Sequence, residues 1–198
     1  MADLLRGPGA SSSRHEPVRS SSATLLRGRL VHVLRGRFDR RLTIVEAGAG
    51  FGKSTLLSQA IRENRIEGLG VDAMLRVADA DRDAALLVEG LADAVGVTDG
   101  DRTLERVLDA VWAMAPAEVA LIVDDVHRLI GAGAATEVLR SLVDRLPSNG
   151  HLVVSGRQIP PLPVARLLSQ DDAVVIDEAD LSYTDDELTT MAELRSIP

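Results

Sequence analysis

The chain has 198 residues, of which 45% are apolar and only 2% aromatic, so a single domain's core must be built from Leu, Val, Ile and Ala. Zero cysteines exclude disulfides, thiolate metal sites and cysteine nucleophiles, and fit a reducing cytoplasm. A net charge of −8 speaks against a nucleic-acid-binding domain, and no run approaches the roughly 18 uncharged apolar residues of a membrane span.

Residues 1–24 contain two serine triplets, Ser11 to Ser13 and Ser20 to Ser22, with few apolar residues, and read as a disordered tail. The Arg- and Ser-rich start also fits an organellar transit peptide, although no amphipathic period supports that reading. From Leu25 the spacing predicts a short basic helix beginning at Leu30. Leu42 to Val45 is a buried strand that runs into a glycine-rich loop, and Ser54 to about Asn64 reads as a helix. Val71 to Val77 is a second strand, Asp79 to Asp83 a polar turn, and Ala84 to Val95 and Leu104 to Ala115 are helices. Val119 to Val123 is an apolar run closed by Asp124 and Asp125, as expected of a central parallel strand. Thr136 to Leu146 carries Leu139, Leu142, Val143 and Leu146 on one helical face. Two more strands, His151 to Ser155 and Ala173 to Ile176, precede a capping box at Thr184 and Glu187 that opens a last helix. Strands alternating with helices predict an α/β sheet.

The chain's only lysine is Lys53, within Ala47-Gly48-Ala49-Gly50-Phe51-Gly52-Lys53-Ser54-Thr55. Arginine everywhere else and lysine here points to a site that needs a compact ammonium. Glycines at this spacing let backbone N–H groups close around phosphates, with Lys53 reaching the β- and γ-phosphates and the Ser54 hydroxyl ligating Mg²⁺. Strand, glycine loop and helix are the context such a P-loop requires. Ala47 stands where the strict pattern has glycine. About seventy residues on, Asp124 is expected to complete the Mg²⁺ shell and Asp125 to polarise an attacking water. Ser155 and Arg157 lie at the end of another strand, where they either sense the γ-phosphate or, for Arg157, pair with an acidic residue. His127 reads as a supporting or surface histidine, and no histidine spacing suits a metal.

Together these residues resemble the large ATP-binding LuxR-type regulators, relatives of the maltose-regulon activator among the STAND signal-transduction ATPases. The likeness runs through Arg41 to Leu57, Leu121 to His127, Val153 to Leu162 with Ala165-Arg166-Leu167, and Asp180 to Glu187. Ala47 matches that family's loop, whereas Gly156 interrupts its usual Ser-Arg spelling. The resemblance implies a P-loop NTPase three-layer sandwich with a central, mostly parallel five-stranded sheet (AAA+/STAND-like). It implies binding of ATP/ADP and Mg²⁺ by residues 47–55, with Arg27 in an upstream element near the base. Lys53, Asp125 and Arg157 are then the catalytic residues, and Ser54 and Asp124 the metal ligands. The implied organisation is a core over 25–184 and the start of a following helical segment over 185–198.

The function this implies is a cytoplasmic, bacterial, slowly hydrolysing switch that self-associates with ATP, without DNA binding by this chain alone. The family's sensor and helix-turn-helix do not fit in the residues after Glu187, so the chain is expected to be an excised domain or a naturally short product. Two other readings stand beside it. A small-molecule kinase would need an arginine-rich lid, and Arg157 to Arg166 carries prolines unsuited to a helix. A vestigial interaction domain would not need intact Lys53, Ser54, Asp124 and Asp125.

Overall fold

A computed structural model describes residues 12–18 and 24–194. In chain order the elements are α1 (Gly28–Arg35), β1 (Leu42–Glu46), α2 (Lys53–Glu67), β2 (Val71–Arg76), α3 (Ala84–Ala94), α4 (Leu104–Ala113), β3 (Val119–Asp124), α5 (Gly133–Arg145), β4 (Gly150–Gly156), α6 (Val164–Ser169), β5 (Ala173–Ile176), α7 (Glu178–Leu181) and α8 (Asp185–Leu194). The five strands form one parallel sheet in the order β2-β3-β4-β1-β5. This is the three-layer α/β architecture expected from the sequence.

Alternation along the strands builds a core on each face. In β3, Leu121 and Val123 pack with α3, α4 and α5 through Leu87, Leu91, Val107, Val111, Leu139 and Leu142. Ala120 and Ile122 point the other way, onto α1 and α2 through Leu30, Leu34, Leu56, Leu57 and Ile61. β3 is buried along its whole length, which explains its uninterrupted apolar spelling.

Several boundaries differ from the sequence expectation. α1 starts at Gly28, and α2 runs from Lys53 to Glu67 between two left-handed glycines, Gly52 and Gly68. α6 forms where prolines argued against a helix. Pro163 sits at its N-cap, where its O accepts from Leu167 N at 3.4 Å and its missing N–H costs nothing. Of the stretch read as a tail, residues 12–18 and 24 are described, while 1–11 and 19–23 lie outside the described residues. Arg14 pairs with the fully buried Asp81 and donates from Nε to Arg76 O at 3.1 Å, and His15 Nδ1 lies 3.0 Å from Met74 O. This segment therefore runs along the free edge of β2.

Candidate phosphate-binding site

β1 delivers the chain into the glycine loop, where Gly50 and Gly52 adopt φ of 86° and 79°. Those left-handed values explain why glycine is needed at both positions. No side chain caps α2 and no acidic residue lies in its first turn, so the amides opening this helix face the loop as ready anion donors. Lys53 Nζ curls back to donate to Ala47 O and Gly48 O, both at 2.7 Å. Burial lowers the Lys53 pKa from its usual value, against the opposing pull of Asp124 and Asp125.

The carboxyl end of β3 faces this loop. Ser54 Oγ donates to Oδ2 of Asp124, a fully buried carboxylate, at 2.7 Å. The two groups expected to hold Mg²⁺ are thus neighbours, although they are 70 residues apart in sequence. A hydroxyl and one carboxylate suit a hard cation that keeps water and phosphate oxygens in its shell. Asp125 is left-handed, with φ 63° and ψ 31°, and its N–H donates to Asp124 Oδ1 at 2.9 Å. Its side chain is part-exposed, with Oδ1 3.8 Å from Nδ1 of His127. Burial pushes the His127 pKa down despite Asp125, with Arg157, Arg128 and Lys53 acting in the same direction as burial. A neutral imidazole therefore lies beside Asp125.

β4 runs between β1 and β3, so its end meets both halves of the site. Ser155 is fully buried and its hydroxyl has no hydrogen-bond partner. Gly156 O accepts from Ala47 N at 3.2 Å, tying the end of β4 to the loop's first residue. Arg157 is exposed, and its charge acts on both Lys53 and His127. Glu46 Oε1 accepts from Ile159 N at 3.2 Å and holds the following segment against the loop strand.

Beside the loop a cavity of about 360 Å³ is lined by Ala49, Gly50, Phe51, Leu181, Ser182 and Tyr183. Arg27, expected among the nucleotide-binding residues, holds the segment that lines this cavity. Its guanidinium donates to Leu181 O at 2.6 Å, Ser182 O at 2.9 Å and Glu187 Oε2 at 3.0 Å, and lies 4.7 Å above the Tyr183 ring. It reaches the cavity wall through Tyr183 and the backbone it holds. Glu178 was not foreseen: its Oε2 accepts from Gly48 N in the loop at 3.2 Å. The signal lay in Asp177 and Asp180, a capping box that opens α7 and puts Glu178 in its first turn.

A family model described as "AAA domain" matches residues 34–158. Serine/threonine-protein kinase PknK of Mycobacterium tuberculosis is 26% identical over 93% of this chain and 18% of its own length. HTH-type transcriptional regulator MalT of Klebsiella pneumoniae is 28% identical over 93% of this chain and 22% of its own length. The chain thus spans about a fifth of these curated relatives. Among solved structures, the Orc1 protein of Aeropyrum pernix in complex with DNA superposes with a TM-score of 0.59 at 20% identity, covering 85% of this chain and 47% of that one.

Proposed function

The chain belongs to the AAA domain family, and from that premise we propose that it is an ATP/ADP-binding switch module with slow Mg²⁺-dependent hydrolysis, of the kind carried by LuxR-type regulators. The P-loop AAA fold implies nucleotide binding. The observation that carries the finer reading is the Ser54–Asp124 contact beside the glycine loop and Lys53. In this reading the loop amides and Lys53 hold the phosphates. Ser54 and Asp124 hold Mg²⁺, which supplies charge neutralisation between the phosphates. Asp125 orients and deprotonates water, with His127 neutral beside it, while Ser155 and Arg157 meet the γ-phosphate. Arg27 acts at one remove by fixing Tyr183 at the cavity wall.

The two relatives support a switch over an effector. One is named a kinase and the other a helix-turn-helix regulator, yet both share the same stretch, less than a quarter of either. The common part is then not the part that gives either its name. Self-association with ATP and action within a longer regulatory polypeptide belong to the same proposal.

Calorimetric titration with ATP and ADP plus Mg²⁺, with Lys53→Ala alongside and phosphate release followed in the same samples, tests it. Charged hydrogen bonds are worth about 1.5–3 kcal/mol each, so loss of Lys53 is expected to weaken binding by at least about tenfold. Turnover below about one per minute is expected, against roughly 10 s⁻¹ for a metabolic enzyme. Unchanged affinity in Lys53→Ala would remove the phosphate-loop reading. Fast turnover stimulated by an acceptor would make the chain a phosphotransferase.

A further inference from the structure

The peptide unit joining Ala47 to Gly48 is held from both sides. Its carbonyl accepts from Lys53 Nζ at 2.7 Å, and its N–H donates to the Glu178 carboxylate at 3.2 Å. Gly48 O takes a second bond from the same ammonium at 2.7 Å. Glu178 also acts electrostatically on Lys53, in the direction that favours the charged amine. A carboxylate is therefore fastened to the loop that is built to receive anions. It hangs from α7, whose C-terminal carbonyls, Leu181 O and Ser182 O, are gripped by Arg27. Arg27 also grips Glu187 in the first turn of α8.

We propose that Glu178 is a latch between the phosphate loop and α7, displaced when nucleotide phosphates draw Lys53 away from Ala47 and Gly48, so that occupancy of the loop is transmitted to α8. This rests on the nucleotide-binding reading above. Two effects act in the same direction. Phosphate oxygens bring negative charge beside the Glu178 carboxylate, and like charges at this range repel. Redirecting Lys53 also removes the bonds that keep the Ala47–Gly48 peptide turned toward Glu178. Once the carboxylate lets go, α7 is held by Leu181 in the core, by its capping bonds from Asp177, and by Arg27 and Arg29, which donate to Leu181 O, Ser182 O and Asp180 O. The Arg27 grip then carries the displacement onward to Glu187.

The test uses the full chain, Glu178→Gln and Glu178→Ala, with circular dichroism to verify folding. Calorimetry gives the Mg·ATP and Mg·ADP affinities, and hydrogen exchange follows amides 179–188 with and without Mg·ATP. Removing an exposed adverse charge is expected to tighten Mg·ATP binding about two- to fivefold in both variants, and Mg·ADP binding by less. In the wild type, Mg·ATP is expected to speed exchange of 179–188. In Glu178→Ala those amides exchange quickly from the outset and ATP adds nothing, while Glu178→Gln, whose Oε1 can still accept from Gly48 N, lies between it and the wild type. Wild-type binding with unchanged or weaker affinity in folded variants would overturn the latch alone. So would exchange at 179–188 that ignores ATP in the wild type. No binding by the wild type would overturn the latch together with the reading beneath it.

Discussion

Ser54 Oγ and Asp124 Oδ2 stand 2.7 Å apart across the gap between the first turn of α2 and the end of β3. Asp124 is fully buried, and its second oxygen is taken by the Asp125 N–H at 2.9 Å. A buried carboxylate so placed contributes charge without freedom to move, which is what a metal-orienting group requires. Asp124→Asn keeps the shape and one acceptor oxygen, for the Asp125 N–H, places its NH2 against Ser54 Oγ, which can accept, and removes the charge. Its expected effect is a Mg²⁺ affinity lowered by roughly 10- to 100-fold, with nucleotide binding in EDTA unchanged. Titration of Mg²⁺ into the nucleotide complex reads this directly. A parallel loss of metal-free nucleotide binding would make Asp124 a structural residue.

Asp125 is one of two non-glycine residues with positive φ among the described residues. Asp and Asn tolerate that region better than most, and such strain tends to be retained at sites that use it. Asp125→Asn preserves the backbone and removes the base, so nucleotide affinity should hold while phosphate release falls by about 100-fold or more. Asp125→Gly should be equally inactive, with unfolding free energy within about 1 kcal/mol of wild type, since relief of φ offsets the added freedom of the unfolded chain. Binding and hydrolysis falling together in Asp125→Asn would move Asp125 into the metal shell.

Gly156 is the glycine that interrupts the expected Ser-Arg spelling, and packing accounts for it. A Cβ there would come within 3.0 Å of Gln158 O, 3.1 Å of His127 N and 3.2 Å of Val126 Cγ2. Two of these are backbone atoms that cannot swing aside. Gly156→Ala should therefore cost about 1–3 kcal/mol in denaturant unfolding. It should also weaken nucleotide binding, because Gly156 O holds Ala47 N at the mouth of the loop. A variant of wild-type stability would mean that the turn after β4 relaxes freely.

The parts of the site that were legible in sequence are those whose chemistry fixes spacing. Lys53 and Ser54 must follow the glycines, and Asp124 must end an apolar strand, so local spelling was enough. The strand order was not legible from pattern alone, because β4 enters between β1 and β3 through pairings such as Thr43 with Val153 and Ile122 with Val153. The contacts of Arg27 were not legible for a related reason. Its partners, Leu181, Ser182 and Glu187, lie more than 150 residues away, and nothing near Arg27 announces them. Arg14 lies in a serine-rich stretch whose composition signals disorder, and its distant partners, Asp81 and Arg76 O, give it a place. Glu178 looked like one acid among many until α7 set it against Gly48.

Glu187 offers a pH test of how α8 is held. Burial alone would raise its pKa, but the Arg27 hydrogen bond, the Thr184 amide and the charges of Arg27 and Arg29 outweigh this and hold it below the usual 4.5. A carboxylate depressed on folding binds fewer protons in the native state than in the unfolded one. Its contribution to stability is therefore fully present above about pH 4.5 and is lost as pH falls through the lower native value. Arg27 is buried, so a neutral Glu187 leaves its guanidinium with two carbonyls and the Tyr183 ring but no opposing charge there. Wild type should thus exceed Glu187→Gln in unfolding free energy at pH 7, and the gap should close on acidification below pH 4.5. The protection factor of the Leu188 amide, bonded to Thr184 O at 2.9 Å, should fall over the same range in wild type and hold steady in the variant. A gap that is constant from pH 7 to pH 3 would show that the Arg27–Glu187 pair contributes shape and not charge to the seating of α8.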